Sequence, residues 1–363
     1  MASSDNRILI YAIGSLGDNI VSIPALRTIR AYYGADATIC LLHDLQDSGR
    51  VTSEAVLGAT GLVNRFISYQ FSRSRLRKLA TAIRLCLELR SLRFNAVVSL
   101  LPSERSAQSL ARDAFFFRIC GIPAQIGFDA ISDNDLYPRD EHGFLLRTLN
   151  ESTFRLRRLA NSGLPVTETE AYKLPLLSVP AHEQLTVDNW LRTHRRQPDR
   201  KLVAICPGCK QPAHSWKLNN FLEIGSRLAA RKEFELIIVG GPAEQNAAAE
   251  LTRAWGEGLV AAGQFSVMGS AAVLARCDFT VGLDTGTTHL AAAVGTPCIV
   301  AQGARSTPGM WEPLGDTHTI IRKRVACEGC LQTTCPKPDH PCMNGISVEE
   351  VWSAIEMQLR RAA

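Results

Sequence analysis

Long hydrophobic runs are scarce in this 363-residue chain. The stretch Ile8 to Ile13, within MASSDNRILIYAIGS, is too short for the apolar core of a secretory signal or for a membrane span, so the expectation is a cytoplasmic protein. No repeat of fixed period and no low-complexity segment is present. The dinucleotide fingerprint G-x-G-x-x-G is missing as well, because the first glycine turn is spaced G-x-x-G. Charge of one sign is in only mild excess, at +5, and with 21% charged residues the chain reads as globular throughout. Aromatic residues do not interleave with the arginines, which counts against a single-stranded nucleic-acid platform. Cysteine is the exception to this scarcity. Eleven cysteines in a reducing compartment argue for buried thiols or metal ligands rather than a disulfide framework.

Much of the chain alternates short apolar runs with helical periodicity. Arg7 to Ile13 reads as a buried strand, followed by the turn Gly14-Ser15-Leu16-Gly17-Asp18 and a helical pattern from Ile20 to Tyr33. Further strands are expected at Ala37 to Leu42, Val63 to Tyr69, Asn95 to Leu101 and Gln125 to Phe128, with a basic helix from Arg75 to Leu92 and an arginine-rich helix over Gly143 to Leu164. Organisation changes near Lys173, after which a second strand–helix series begins at Leu202. The pattern predicts an α/β chain of two Rossmann-like, doubly wound domains facing across a cleft, residues 1–175 and 176–346, with a terminal helix in 347–363.

Chemistry-bearing residues cluster at the strand ends. In DFTVGLDTGTTHLAAAVGTP, strand Phe279 to Leu283 runs into a turn and a helix opening at Thr287. Free amides of Gly286, Thr287 and Thr288 at such an N-terminus, with about half a positive charge from the macrodipole, suit a diphosphate, and Asp284, Thr285 and His289 flank it. The alternative is an N-capped helix with His289 in the core. Asp18, at the carboxyl end of the first strand, fits either a general base or a helix cap. Asp133-Asn134-Asp135 copies the D-x-D of metal-dependent sugar transferases but follows no strong apolar strand, so solvated loop acids are the favoured reading. Four cysteines, Cys327, Cys330, Cys335 and Cys342, fall within a Pro-rich knuckle, 327–342, that no periodic element uses; a structural zinc or iron accounts for that density better than free thiols. Four thiolates leave no open position for catalysis. Between Arg65 and Arg118 eleven Lys or Arg face three acids, an imbalance suited to an anionic partner or to a solvated face.

Taken together, Gly14 to Asp18 with Pro24-Ala25-Leu26, Pro207-Gly208, Trp216, Gly240-Gly241-Pro242-x-Glu244, Asp284-Thr285-Gly286-x-x-His289-Leu290-Ala291 and the terminal cysteines with Met343 resemble glycosyltransferase family 9, the ADP-heptose:lipopolysaccharide heptosyltransferases. The resemblance runs from about Arg7 to Ile346. It implies a GT-B fold and inverting transfer of heptose from ADP-heptose to a lipopolysaccharide-core or related glycan hydroxyl. No catalytic metal or cofactor is implied, and the work would be done at the inner face of the inner membrane. On it, Asp18 becomes the general base, with Ser15 and Gly17 beside it on the acceptor side. Gly208, Asp284, Thr285, Gly286, Thr287 and His289 become the donor site. Where the family usually has a lysine two residues before the matching tryptophan, this chain has His214, and Lys210 or Lys217 is expected to supply the missing charge. Arg75, Arg77 and Lys78 then face a phosphorylated glycolipid acceptor at the membrane, with no nucleic acid involved. Two other readings stay open: a GT-B transferase using a different nucleotide sugar, and a metal-knuckle nucleic-acid-binding protein. Against the last, the basic stretch and the cysteines lie in different domains.

Overall fold

The protein is described here from a computed structural model covering residues 6–45, 51–70 and 74–361, with the side chain of Arg75 outside that description. The chain divides into two compact units, one formed by residues 1–136 and 149–176, the other by 137–148 and 177–363.

In the first unit the strands are β1 (Arg7–Tyr11), β2 (Thr38–Asp44), β3 (Arg65–Tyr69), β4 (Ala96–Ser99) and β5 (Ala124–Ile126). They pair in the order β3-β2-β1-β4-β5. Every pairing is parallel, with Ile8 opposite both Ile39 and Ala96. Continuous apolar runs such as RILIY form such strands because helices cover both faces and no alternation is needed. Leu9, Leu42, Val97 and Phe117 lie in one core that the basic helix Arg75–Leu92 enters with Leu85 and Leu89 and flanks with Cys86 and Leu92. The strand order reverses between β1 and β4, and a crevice at their carboxyl ends is the place where open α/β sheets bind ligands.

The second unit repeats the plan with β6 (Lys201–Cys206), β7 (Phe234–Ile238), β8 (Leu259–Val260), β9 (Phe279–Leu283), β10 (Cys298–Gln302) and β11 (Thr319–Arg322). Their order is β11-β10-β9-β6-β7-β8, again parallel, with the reversal between β6 and β9. The terminal helix Val348–Arg361 docks Val351, Ala354 and Ile355 in the same core, so it belongs to this unit. Trp216 and Met343 are buried there too, and the Trp216 indole N–H donates to the Ile346 carbonyl at 3.0 Å. Both residues are therefore packing anchors.

Two expectations are corrected. The helix read over Gly143 to Leu164 spans only Glu151–Asn161, because Asn150 caps it, its side chain accepting from the Ser152 amide at 3.0 Å. Residues 137–148 instead pack with the second unit: the Thr148 amide donates to Pro308 at 2.9 Å, and Arg147 grips the nearly buried Glu312 with both guanidinium nitrogens. Asp133-Asn134-Asp135 is likewise no loop but the start of a one-turn helix, Asp133–Leu136, where Asp135 accepts from the Ser132 hydroxyl at 2.6 Å.

Candidate functional site

At the switch point of the first sheet, the turn after β1 leads into the helix Leu16–Val21. Asp18 is the third residue of that helix, not its cap. Its carboxylate reaches back to the Ser15 amide at 2.8 Å and the Ser15 hydroxyl at 3.3 Å, satisfying donors that the helix start leaves open. Gly14 is required for this closure, since a Cβ there would lie 2.3 Å from the Asp18 side chain. Gly17 is buried under the turn. Beneath Asp18 sits a charged layer. Glu151 and Arg155, both essentially inaccessible, pair at 2.8 Å one turn apart, and Glu151 also accepts from the Ser103 amide beyond β4. Arg155 donates to the Asp18 carbonyl at 2.9 Å and to the Ser22 hydroxyl, while its remaining Nη2 has no hydrogen-bond partner and points at the Asp18 carboxylate from 3.9 Å. Asp18 is about one-fifth exposed, so a carboxyl group stands open at the strand end with a buried guanidinium behind it.

The second sheet presents its own cluster at the carboxyl ends of β6 and β9. Thr285 is the N-cap of the helix Gly286–Ala293. The Thr288 amide is already spent on the Thr285 carbonyl at 3.1 Å, which corrects the expectation of three free amides and leaves Gly286 and Thr287 at the open end. The Thr285 Oγ1 is buried without a partner. His289 is not at the mouth of the helix: it is 4% exposed, and burial pushes its imidazole down to about 4, so it is neutral.

Asp284, with its side chain only 7% exposed, is pushed up to about 6 by burial, against a hydrogen bond from Gln302. His214 Nδ1 stands 3.7 Å from it. That separation is no hydrogen bond, and burial beside Arg305 and His340 pushes His214 down to about 4, so the pair is a carboxylate beside a neutral ring rather than a salt bridge. Next to the ring is Arg305. Its Nε and Nη2 donate to the carbonyls of Gln332 and Leu331, both at 2.8 Å, and its Nη1 lies 3.5 Å from His214 Nε2. Thus a fixed guanidinium stands beside His214, the residue found where a lysine was expected. Lys210 is exposed, and Lys217 is exposed at the start of the helix Leu218–Ala230. Sequence reading missed Arg305, Gln302 and Arg155, since none lies in a glycine turn. Gly208 follows β6 and packs against Glu244, whose Cγ would be 2.4 Å from an added Cβ, while Glu244 accepts from the Gly241 amide at 2.7 Å.

The four knuckle cysteines are brought together. Cys327, Cys330, Cys335 and Cys342 line one cavity of about 20 Å³, shared with Arg305 and His340. The donor chemistry suits zinc or iron, yet among the described residues no three His, Cys, Asp or Glu side chains are disposed to hold a metal ion; as placed, this is a thiol cluster, and no step of the chemistry depends on it. Arg77 and Lys78 lie exposed on the helix Arg75–Leu92, while the Arg75 side chain lies outside the described residues. No described helix is long and apolar enough to cross a membrane.

Comparison with known proteins follows the same lines. A lipooligosaccharide heptosyltransferase 2 from Haemophilus influenzae is 28% identical over 155 residues, a span covering 41% of this chain and 44% of that relative. Less than half of the curated relative is therefore matched. Among solved structures, a family 9 glycosyl transferase from Veillonella parvula superposes with a TM-score of 0.75 at 17% identity, covering 98% of both chains. The ADP-heptose LPS heptosyltransferase II of E. coli does so with 0.67 at 19% identity, over 98% of this chain and 100% of that one. At such identities the likeness speaks for the fold, two parallel α/β units of the GT-B class. The model of glycosyltransferase family 9 (heptosyltransferase) matches residues 89–340, most of the chain, and the protein belongs to that family.

Proposed function

We propose that this protein transfers a heptose from ADP-heptose to a hydroxyl of a lipopolysaccharide-core or related glycan acceptor, with inversion at the anomeric carbon. The observation that carries this reading is the cluster at the switch point of the second sheet. There a cap hydroxyl without a partner, two open helix amides and a carbonyl-anchored guanidinium accompany a buried acid. Asp284 accepts from a hydroxyl of the donor. Gly286, Thr287, Thr285 Oγ–H and Arg305 bind the diphosphate and take up the charge that grows on it as the glycosidic bond breaks. Asp18 receives the proton of the acceptor hydroxyl while that oxygen bonds to the anomeric carbon, and the electron pair of the breaking bond leaves with ADP from the opposite face. Arg155 holds Asp18 in place, through the Asp18 carbonyl at 2.9 Å and with its Nη2 3.9 Å from the carboxylate. His214, in place of a lysine, supports a second reading with a different nucleotide on the donor.

The test is thermal unfolding of the wild type and Asp284→Ala with ADP, UDP and GDP, beside a transfer assay of Asp18→Asn. The expected outcome is stabilisation by ADP alone, ~2.7 kcal/mol at 100 times its dissociation constant, lost in Asp284→Ala. Asp18→Asn should lower turnover about 100-fold or more while leaving that stabilisation in place. A response to UDP or GDP instead selects the other donor, and no response to any of the three sinks the donor site.

A structural zinc or iron held by the four knuckle thiols forms part of the proposal, through closure of the thiols around one ion. Elemental analysis of protein purified without added metal should find about one zinc or iron per chain, displaced in proportion by a thiol-modifying reagent; metal-free chains with four reactive thiols in this segment would refute it.

A further inference from the structure

The helix Arg75–Leu92 leaves an apolar stripe uncovered. Leu76, Leu79, Ile83 and Leu87 are 81%, 60%, 52% and 63% exposed. Their spacing of three and four residues puts them on one face, opposite Leu85 and Leu89, which the core takes up. This is not a core face awaiting its sheet, because the sheet side is already filled.

The stripe continues onto a neighbouring helix, Ala107–Ile119, where Phe115 and Ile119, one turn apart, are 63% and 50% exposed. Arg90, one turn beyond Leu87, donates to the Ile119 carbonyl at 3.0 Å and so ties the two exposed faces together. Isolated exposed leucines are ordinary on a protein surface; six large apolar side chains on two adjoining helices are a patch. Cations surround it. Arg77, Lys78, Arg84 and Arg118 are exposed and make no ion pair among the described residues. Of the nearby acids Asp113 is buried and paired with the exposed Arg112, and Glu88 is half-buried.

We propose that this two-helix face is a docking surface for an anionic lipid bilayer, with the six apolar side chains entering the boundary between headgroups and acyl chains and the flanking cations held at the phosphates. Charge favours a bilayer over a second copy of the chain. A symmetric pairing would set the same cations against each other, whereas an anionic surface neutralises them as it covers the stripe. An amphipathic helix with basic flanks binds by both terms together, buried apolar area and charge. The inference deepens the proposed transfer reaction and rests on it for the choice of a lipid rather than a protein surface.

The test is co-sedimentation of the full chain, without sugar nucleotide, with vesicles of pure phosphatidylcholine and of phosphatidylcholine containing one-third phosphatidylglycerol. It is repeated for the triple variant Leu76→Gln, Ile83→Gln, Leu87→Gln. Binding to the anionic vesicles alone, weakened by salt and reduced about tenfold or more in the triple variant, is expected. Because these side chains are exposed, the variant should keep the wild-type far-ultraviolet spectrum and melting temperature. It should also keep its nucleotide response and its transfer to a water-soluble, delipidated acceptor. Equal binding by wild type and variant, no binding to anionic vesicles, or concentration-dependent self-association abolished in the variant would each overturn the proposal. Loss of transfer to the soluble acceptor in the wild type would instead count against the reaction and leave vesicle binding standing.

Discussion

Asp284 carries an energetic cost that its chemistry explains. Burial pushes its carboxyl up to about 6 in the folded chain, against an ordinary 3.8. Between those values the native state holds a proton that the unfolded chain has lost, so stability falls as pH rises through the window. Above the folded value the penalty is complete, about 3 kcal/mol at most. Asp284→Asn should therefore be more stable than the wild type at pH 7.5, with the difference closing as pH drops to about 4, while nucleotide affinity is lost. Urea midpoints at the two pH values check this, and an Asn variant less stable than the wild type at pH 7.5 would show that the burial is fully compensated. Asp284, Thr285 and Gly286 were legible because a strand, a turn and a helix start follow one another without a gap. Arg305 was not. It sits in the aperiodic stretch after β10, and only the carbonyls of Leu331 and Gln332, some distance further along the chain, fix where its guanidinium stands.

Among elements, the helix Glu151–Asn161 does the most to build a site it does not itself form. It buries Arg155, Arg158 and Glu151 under the β1 and β4 strand ends, and burial pushes Arg158 down to about 10. Replacing Arg155 with Met leaves Glu151 as a buried carboxylate without its partner, which costs about 3–5 kcal/mol. The double variant Glu151→Leu, Arg155→Met should recover most of that stability by chemical denaturation, yet not the activity, because Asp18 still lacks the cation behind it. Recovery of turnover along with stability would show that Arg155 serves the fold alone. The regular elements of both sheets were readable from apolar runs and glycine turns. The charged helix was overextended at its start because Phe144, Leu145 and Leu146 continue a helical apolar pattern in the sequence, whereas Leu145 is buried in the second unit and Leu146 is exposed. β11 escaped notice for a different reason: TIIR is short and half-buried at a sheet edge, and so lacks the run that marks a central strand.

At the scale of the whole molecule, each unit has a hydrophobic core of its own, so heating should produce two separable unfolding steps rather than one. On the proposed donor site nucleotide binds the native form of the second unit, so calorimetry with ADP should raise one step and leave the other in place. A single step that moves as a whole would mean that the two units unfold as one. The boundary was read near residue 175, close to where the chain passes finally into the second unit, but the earlier excursion of residues 137–148 was invisible. Its evidence lies in partners far along the chain: Arg147 with Glu312, the Leu145 amide with Glu328, and Arg324 stacked over Phe144 at 5.0 Å.

That excursion sets an order of events during synthesis. The first unit is complete once residue 176 has left the ribosome, by which time residues 137–148 have already been made and have nothing to pack against. The growing chain must carry this strap exposed, with Phe144, Leu145 and Leu146 in it, until Glu312 and Glu328 emerge about as late as the last strand. A chain cut after residue 176 and supplied as two pieces divides the second unit between them, and the C-terminal piece alone carries Glu312 without Arg147 and Glu328 without the Leu145 amide.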